Sequence, residues 1–225
     1  IAWLVKSGRV APSGILAVTF TNKAAREMLT RVTAMLPVNP RGLWIGTFHG
    51  LANRMLRIHH REAGLPPAFT ILDSQDQLAA IKRLLKGLNV DEERFPAREL
   101  MYFISAQKEE GLRAGDVRLT DETTRGFAEL YAAYDEQCQR EGVVDFAELL
   151  LRCYELLARN EILREHYSQR FRHILVDEFQ DTNRLQYRWL KLLAGRASFI
   201  FAVGDDDQSI YRFRGANVGN MADFE

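Results

Sequence analysis

Four short apolar runs constrain this chain more than any other feature. They are Ile15-Leu16-Ala17-Val18-Thr19-Phe20, Leu43-Trp44-Ile45-Gly46-Thr47, His173-Ile174-Leu175-Val176 and Ser198-Phe199-Ile200-Phe201-Ala202-Val203. Continuous apolar runs without alternation predict strands of a parallel sheet covered on both faces. Each run leads directly into a polar cluster. The clusters are Thr19-Phe20-Thr21-Asn22-Lys23, Gly46-Thr47-Phe48-His49-Gly50, Asp177-Glu178-Phe179-Gln180-Asp181 and Gly204-Asp205-Asp206-Asp207-Gln208. In an open parallel sheet, ligands bind outside the carboxyl ends of the strands. Four clusters at that edge predict a single composite site.

Helical patterns fill the space between the strands. From about Asn22, the residues Ala25, Met28, Leu29, Val32, Met35 and Leu36 fall on one stripe, which Pro37 stops. Ser74-x-x-Gln77 has the form of a capping box, followed by Leu78, Ile81, Leu85 and Leu88. Phe127, Leu130, Tyr131, Tyr134 and Cys138 form a second stripe. Asp145-x-x-Glu148 caps a third, with Phe146, Leu149, Leu150, Cys153 and Leu157 expected to face inward. A last helix is expected from Thr182 to Leu193. Strands at both ends and helices between them predict an α/β domain, residues 1–50 and 171–225, interrupted by an all-helical insertion over 51–170.

Composition excludes several classes. No stretch approaches the ~18 uninterrupted apolar residues of a membrane span. Ile1-Ala2-Trp3-Leu4-Val5-Lys6 is too short for a signal peptide. Cys138 and Cys153 read as buried thiols of a reducing compartment. No Cys/His spacing matches a zinc site, and no Gly-x-Ser-x-Gly elbow is present. The chain is formally neutral, but its charge is uneven. Residues 1–65 hold nine basic and two acidic side chains, whereas residues 66–170 hold 14 and 20. A basic N-terminal third can attract phosphates within a neutral chain.

The third cluster is chemically the most specific. An apolar strand ending in Asp177-Glu178 suits a metal-dependent phosphate hydrolase. The Asp holds Mg²⁺ largely through water, and the Glu orients or deprotonates the attacking water. The same pair could instead cap the helix that follows. In the fourth cluster, Asp205, Asp206 and Asp207 repel one another unless a cation or basic partner is near. Tyr211 and Phe213 alternate with Arg212 and Arg214. That pattern suits single-stranded nucleic acid, with rings on bases and guanidiniums on phosphates; the alternative is core packing. His49 sits at the ligand edge, where it could contact a phosphate or sugar. His59 and His60 read as surface residues.

Together, Ala17-Val18-Thr19-Phe20-Thr21-Asn22-Lys23-Ala24-Ala25, Gly46-Thr47-Phe48-His49-Gly50, Ile71-Leu72-Asp73-Ser74-Gln75-Asp76-Gln77, Val144-Asp145-Phe146-Ala147-Glu148-Leu149-Leu150, Val176-Asp177-Glu178-Phe179-Gln180-Asp181-Thr182 and Val203-Gly204-Asp205-Asp206-Asp207-Gln208-Ser209-Ile210-Tyr211 closely resemble the UvrD/PcrA/Rep group of superfamily 1A DNA helicases. The resemblance covers essentially the whole chain, in order. It implies a RecA-like P-loop NTPase fold and an ATP-dependent 3′→5′ helicase that moves on single-stranded DNA. By the same resemblance, Asp177 would coordinate Mg²⁺ of Mg-ATP, Glu178 would be the catalytic base and Gln208 would sense the γ-phosphate. Arg214 would link the nucleotide and DNA sites. Phe20, Tyr211 and Phe213 would contact or stack on bases, and Asn22, Thr47 and His49 would contact the DNA backbone. Family members often carry Trp where this chain has Phe213, which keeps a stacking face of smaller area.

The partners implied are single-stranded DNA, single-/double-strand junctions and DNA-repair proteins, with no membrane. The compartment implied is the bacterial cytoplasm, at the nucleoid. One departure stands out: no Gly-Lys dipeptide occurs in the chain, so the phosphate-cradling G-x-x-x-x-G-K-[ST] loop is missing from it. The expectation is a fragment, with that loop just upstream of Ile1 and a second motor domain beyond Glu225. Such a fragment would be inactive alone. The alternatives are a helicase–nuclease of the RecB/AddA type and a non-catalytic DNA-binding relative.

Overall fold

A computed structural model describes residues 1–196 and 198–204. The chain forms two compact units. One comprises Ile1–Met55 with Cys153–Glu225, and the other Leu56–Arg152. In chain order the elements are α1 (Ala2–Lys6), β1 (Ile15–Thr19), α2 (Asn22–Met35), β2 (Trp44–Thr47), α3 (Phe48–Ile58), β3 (Thr70–Ile71), α4 (Ser74–Gly87), α5 (Ala97–Glu109), α6 (Glu122–Glu141), β4 (Val143–Val144), α7 (Phe146–Arg159), α8 (Glu161–Arg170), β5 (His173–Val176), α9 (Arg184–Leu193) and β6 (Phe199–Ala202). Short 3₁₀ turns join several of them. The unit boundaries fall inside α3 and α7, and α8 belongs to the first unit.

The first unit is built on a four-stranded sheet in the order β2-β1-β5-β6, with every neighbouring pair parallel. Thr19 lies opposite Thr47, Val18 opposite Val176, and Val176 opposite Ala202. The carboxyl ends of all four strands therefore share one edge, as their apolar runs predict. Every residue of β1 is buried between β2 and β5. β6 departs from the expectation of a strand covered on both faces. Phe199 and Phe201 are 67% and 63% exposed. Among the described residues β6 pairs only with β5, so it is an edge strand here.

Aromatic residues fill the remaining core of this unit. Trp44 meets Tyr167 and Phe171 edge-on at 5.8 and 5.4 Å, and the Arg54 guanidinium covers its ring at 4.0 Å. Trp189 is fully buried and donates its indole N–H to the Cys153 sulfur at 3.3 Å. α2 follows the predicted stripe in part. Val32 and Leu36 are buried, but Met35, at the helix end, is exposed.

The second unit packs Ile81 and Leu85 of α4, Leu100 and Ile104 of α5, and Tyr131 and Tyr134 of α6 into one core. Three sequence expectations need correction here. The unit is not all-helical, because β3 and β4 form a parallel pair, Thr70 opposite Val143 and Ile71 opposite Val144. Two-residue strands are too short to leave a periodic signal. The N-cap of α4 is Asp73 rather than Ser74; its carboxylate accepts from the amides of Gln75 and Asp76. Asp145 does cap α7, accepting from Glu148 N at 2.8 Å, but Phe146 beside it is 58% exposed. Leu149, Leu150, Cys153 and Leu157 are buried as expected, and both thiols are free and buried. Among the described residues no helix is long and apolar enough to cross a membrane.

Candidate functional site

The site forms where β1, β2, β5 and β6 end. The segment after β5 stays tied to its neighbours: Asp177 N donates to Val18 O at 3.0 Å, and Phe179 N to Val203 O at 2.8 Å. Between them, Glu178 adopts φ 53° and ψ 45°. This left-handed conformation costs an ordinary side chain roughly 1–2 kcal/mol. It breaks the strand alternation that would otherwise send adjacent side chains to opposite faces. Glu178 is exposed and Asp177 half-buried. Glu178 N donates to Asp177 Oδ1 at 3.1 Å, and the buried Gln180 donates from Nε2 to Glu178 Oε2 at 2.6 Å.

Helix capping does not account for the two carboxylates. α9 begins at Arg184 rather than Thr182, and its cap is Asn183. Asn183 and Gln186 form a reciprocal capping box: Gln186 N donates to Asn183 Oδ1, and Asn183 N to Gln186 Oε1. The helix end is thus satisfied without Asp177 or Glu178.

At the neighbouring strand ends, two threonines begin helices. Thr21 Oγ1 accepts from Ala24 N at 3.1 Å, and Thr47 Oγ1 from Gly50 N at 3.1 Å. Strand-paired β1 and β2 therefore present the N-termini of α2 and α3 side by side, an arrangement favourable to anions. Asn22 is exposed in the first turn of α2. Phe20 is half-buried and packs on Phe48 at 5.3 Å, and Phe48 meets Trp189 at 6.0 Å. Burial pushes the His49 imidazole down to about 4, so it is neutral at neutral pH. It can meet a phosphate as a hydrogen-bonding group but not as a cation.

A mostly apolar groove of about 610 Å³ opens beside Asp177. Trp3, Met28, Leu175, Asp177, Phe201 and Val203 are among its lining residues. No group of three or more His, Cys, Asp or Glu side chains suited to a metal occurs among the described residues. Asp177 offers one carboxylate of hard oxygen donors. That suits Mg²⁺, which keeps several waters and takes substrate phosphate oxygens for the rest.

The structure brings Phe20, Asn22, Thr47, His49, Asp177 and Glu178 to one sheet edge. Gln208, Tyr211, Phe213 and Arg214 lie outside the described residues. Part of the basic N-terminal charge has structural work. Arg54 donates to the carbonyls of Leu43 and Arg41, and Arg57 lies 3.6 Å over Phe69 and donates to its carbonyl. Gln180 carries no signal in the sequence, because its bond to Glu178 depends on the left-handed turn.

Along residues 1–225 the chain matches the UvrD/REP helicase N-terminal domain. The chain belongs to that family. This UvrD/REP N-terminal domain is 51% identical over 225 residues to DNA helicase II of Escherichia coli and 50% identical over 229 residues to DNA helicase II of Haemophilus influenzae. It is 39% identical over 227 residues to ATP-dependent DNA helicase PcrA of Staphylococcus aureus. All of the chain takes part in each match, and it spans 31%, 32% and 31% of those proteins. The UvrD/REP domain thus corresponds to about a third of each relative's length.

Proposed function

We propose that the complete protein is an ATP-dependent DNA helicase that moves 3′→5′ on single-stranded DNA and unwinds duplexes in repair or replication of a bacterial chromosome. In this reading the sheet is part of a RecA-like P-loop motor domain, with residues 56–152 as an inserted subdomain. The observation that carries it is the Asp177-Glu178 pair at the end of β5, with the next helix capped independently by Asn183 and Gln186. The relatives' names, DNA helicase II and ATP-dependent DNA helicase PcrA, supply the reaction class.

Asp177 would hold the Mg²⁺ of Mg-ATP; when bound, that ion would offset charge on the phosphates. Glu178 would orient and deprotonate the attacking water, and Gln208 would report on the γ-phosphate. Arg214 would join the nucleotide site to the DNA track. The tracking strand would run over β1 and β2. There Asn22, Thr47 and the neutral His49 would meet its backbone, and Phe20, Tyr211 and Phe213 its bases. The 225 residues contain no Gly-Lys phosphate loop, so this chain alone would bind ATP poorly and be inactive.

The test is steady-state ATP hydrolysis by the full-length gene product, with and without oligothymidylate. Hydrolysis stimulated tenfold or more by the oligonucleotide is the expected result. DNA-independent hydrolysis, or none, would contradict the reading and favour a DNA-binding module without a motor.

A further inference from the structure

We propose that Gln180 is a positioning residue for the Glu178 carboxylate, and that the missing side chain of Gly204 leaves the space in which the Gln180 amide lies. The inference rests on the reading of Glu178 as the base of an ATPase. Glu178 is an exposed side chain on a short turn, and left to itself it would sample several rotamers. Gln180, two residues on, is 1% exposed and donates from Nε2 to Glu178 Oε2 at 2.6 Å. Only the NH₂ end of the amide can face a carboxylate oxygen, so this bond fixes which way the amide lies.

The backbone around Gln180 is pinned on two sides. Phe179 N donates to Val203 O, and Asp181 N to Glu178 O at 2.9 Å. Gly204 closes the third side. A Cβ there would stand 2.5 Å from Gln180 Oε1, 3.1 Å from Gln180 N and 3.3 Å from Phe179 N. The end of β6 thus approaches the turn after β5 so closely that any side chain at 204 must displace the Gln180 amide or the turn itself. The two strand ends form one device: Gly204 leaves room for the amide, and the amide aims the carboxylate. A general base acts only within hydrogen-bond reach of the proton it takes, and small misplacements are costly.

The test uses the full-length protein with saturating single-stranded DNA. Gln180→Leu keeps bulk but loses the donor, and Gly204→Ala crowds the amide. Both should lower kcat about tenfold to a hundredfold, with KM for ATP and affinity for oligothymidylate within about twofold of wild type. Gln180→Glu, nearly isosteric, should also lower kcat, because it sets a second acceptor against Glu178. It carries the test alone if the leucine variant does not fold. Glu178→Gln runs in parallel. If that variant hydrolyses ATP like wild type, the reading of Glu178 as base fails. If it is inactive while the Gln180 variants keep wild-type kcat, or lose kcat only together with ATP and DNA binding, Gln180 is not a positioning residue.

Discussion

Lys108 Nζ lies 2.7 Å from Asp145 Oδ2, and both side chains are almost wholly buried. The same ammonium stands 2.8 Å from Glu148 Oε2 and 3.0 Å from Asp135 Oδ1. Arg113 and Arg152 also bond Glu148, and Tyr134 donates to Asp145 at 3.1 Å. Burial alone would lower the Lys108 pKa. The carboxylates of Glu148, Asp145 and Asp135 outweigh it and hold the ammonium well above its usual range. Three cations against three carboxylates tie α5, α6 and the start of α7 together within the second unit.

Removing one partner strands the others. Lys108→Met should destabilise the protein by about 3–5 kcal/mol, because three carboxylates lose their shared cation. Adding Asp145→Asn should cost less than the sum of the two single changes. Denaturant unfolding of the four proteins in the cycle checks both expectations, and a Lys108→Met variant as stable as wild type would contradict them.

His49 makes stability depend on mild acid. Its imidazole is pushed down to about 4 in the native state, against an ordinary value of about 6.5 when unfolded. Between those values the unfolded chain binds a proton that the native chain refuses, so stability falls as pH falls. His173 is also lowered, by burial and by Arg172 and Arg9, and adds to the trend. Tm should drop from pH 7 to pH 5, and His49→Gln should reduce that drop. Because neutral His49 releases no counterion, the same variant should leave the salt slope of single-stranded DNA binding unchanged in the full-length protein.

Both thiols should be inert in the native protein. Burial pushes Cys138 and Cys153 each up to about 12, and the thiolate is the reactive form. A disulfide-exchange reagent at neutral pH should label neither until the protein unfolds. Labelling of either thiol within minutes in the absence of denaturant would contradict this, and for Cys153 it would mean that Trp189 and Met55 do not shield the sulfur.

Gly142 ends α6 at φ 66°, and a Cβ there would stand 2.9 Å from Pro66 Cγ. Gly142→Ala should therefore destabilise by about 1–2 kcal/mol. Gly87→Ala, in open space within α4, should be neutral or slightly stabilising. Thermal denaturation of the pair separates conformational strain from simple loss of a glycine.

The parallel sheet was legible because its strands are short, apolar and punctuated by polar clusters. The left-handed turn at Glu178 was not legible, since nothing in Asp-Glu-Phe-Gln-Asp announces a positive φ at a glutamate. The two-residue strands β3 and β4 are too short to leave a pattern, and Ser74 with Gln77 has the commoner capping form although Asp73 is the cap. Phe146 fits the spacing of the inward stripe, yet directly after the N-cap it points to solvent. Thr21 and Thr47 lie in the polar clusters, and the structure shows each capping a helix. For Glu178 and the β3–β4 pair the missing information is a backbone angle or a tertiary pairing, which residue spacing does not carry.

The most direct test of the central claim is ATP hydrolysis by the full-length protein beside its Glu178→Gln variant, both saturated with single-stranded DNA. The variant should still bind ATP and DNA and lose at least a hundredfold in kcat, in line with removal of a general base. A variant that turns over like wild type would remove Glu178 from the chemistry, and with it the assignment of the strand-end carboxylates as the motor's hydrolytic centre.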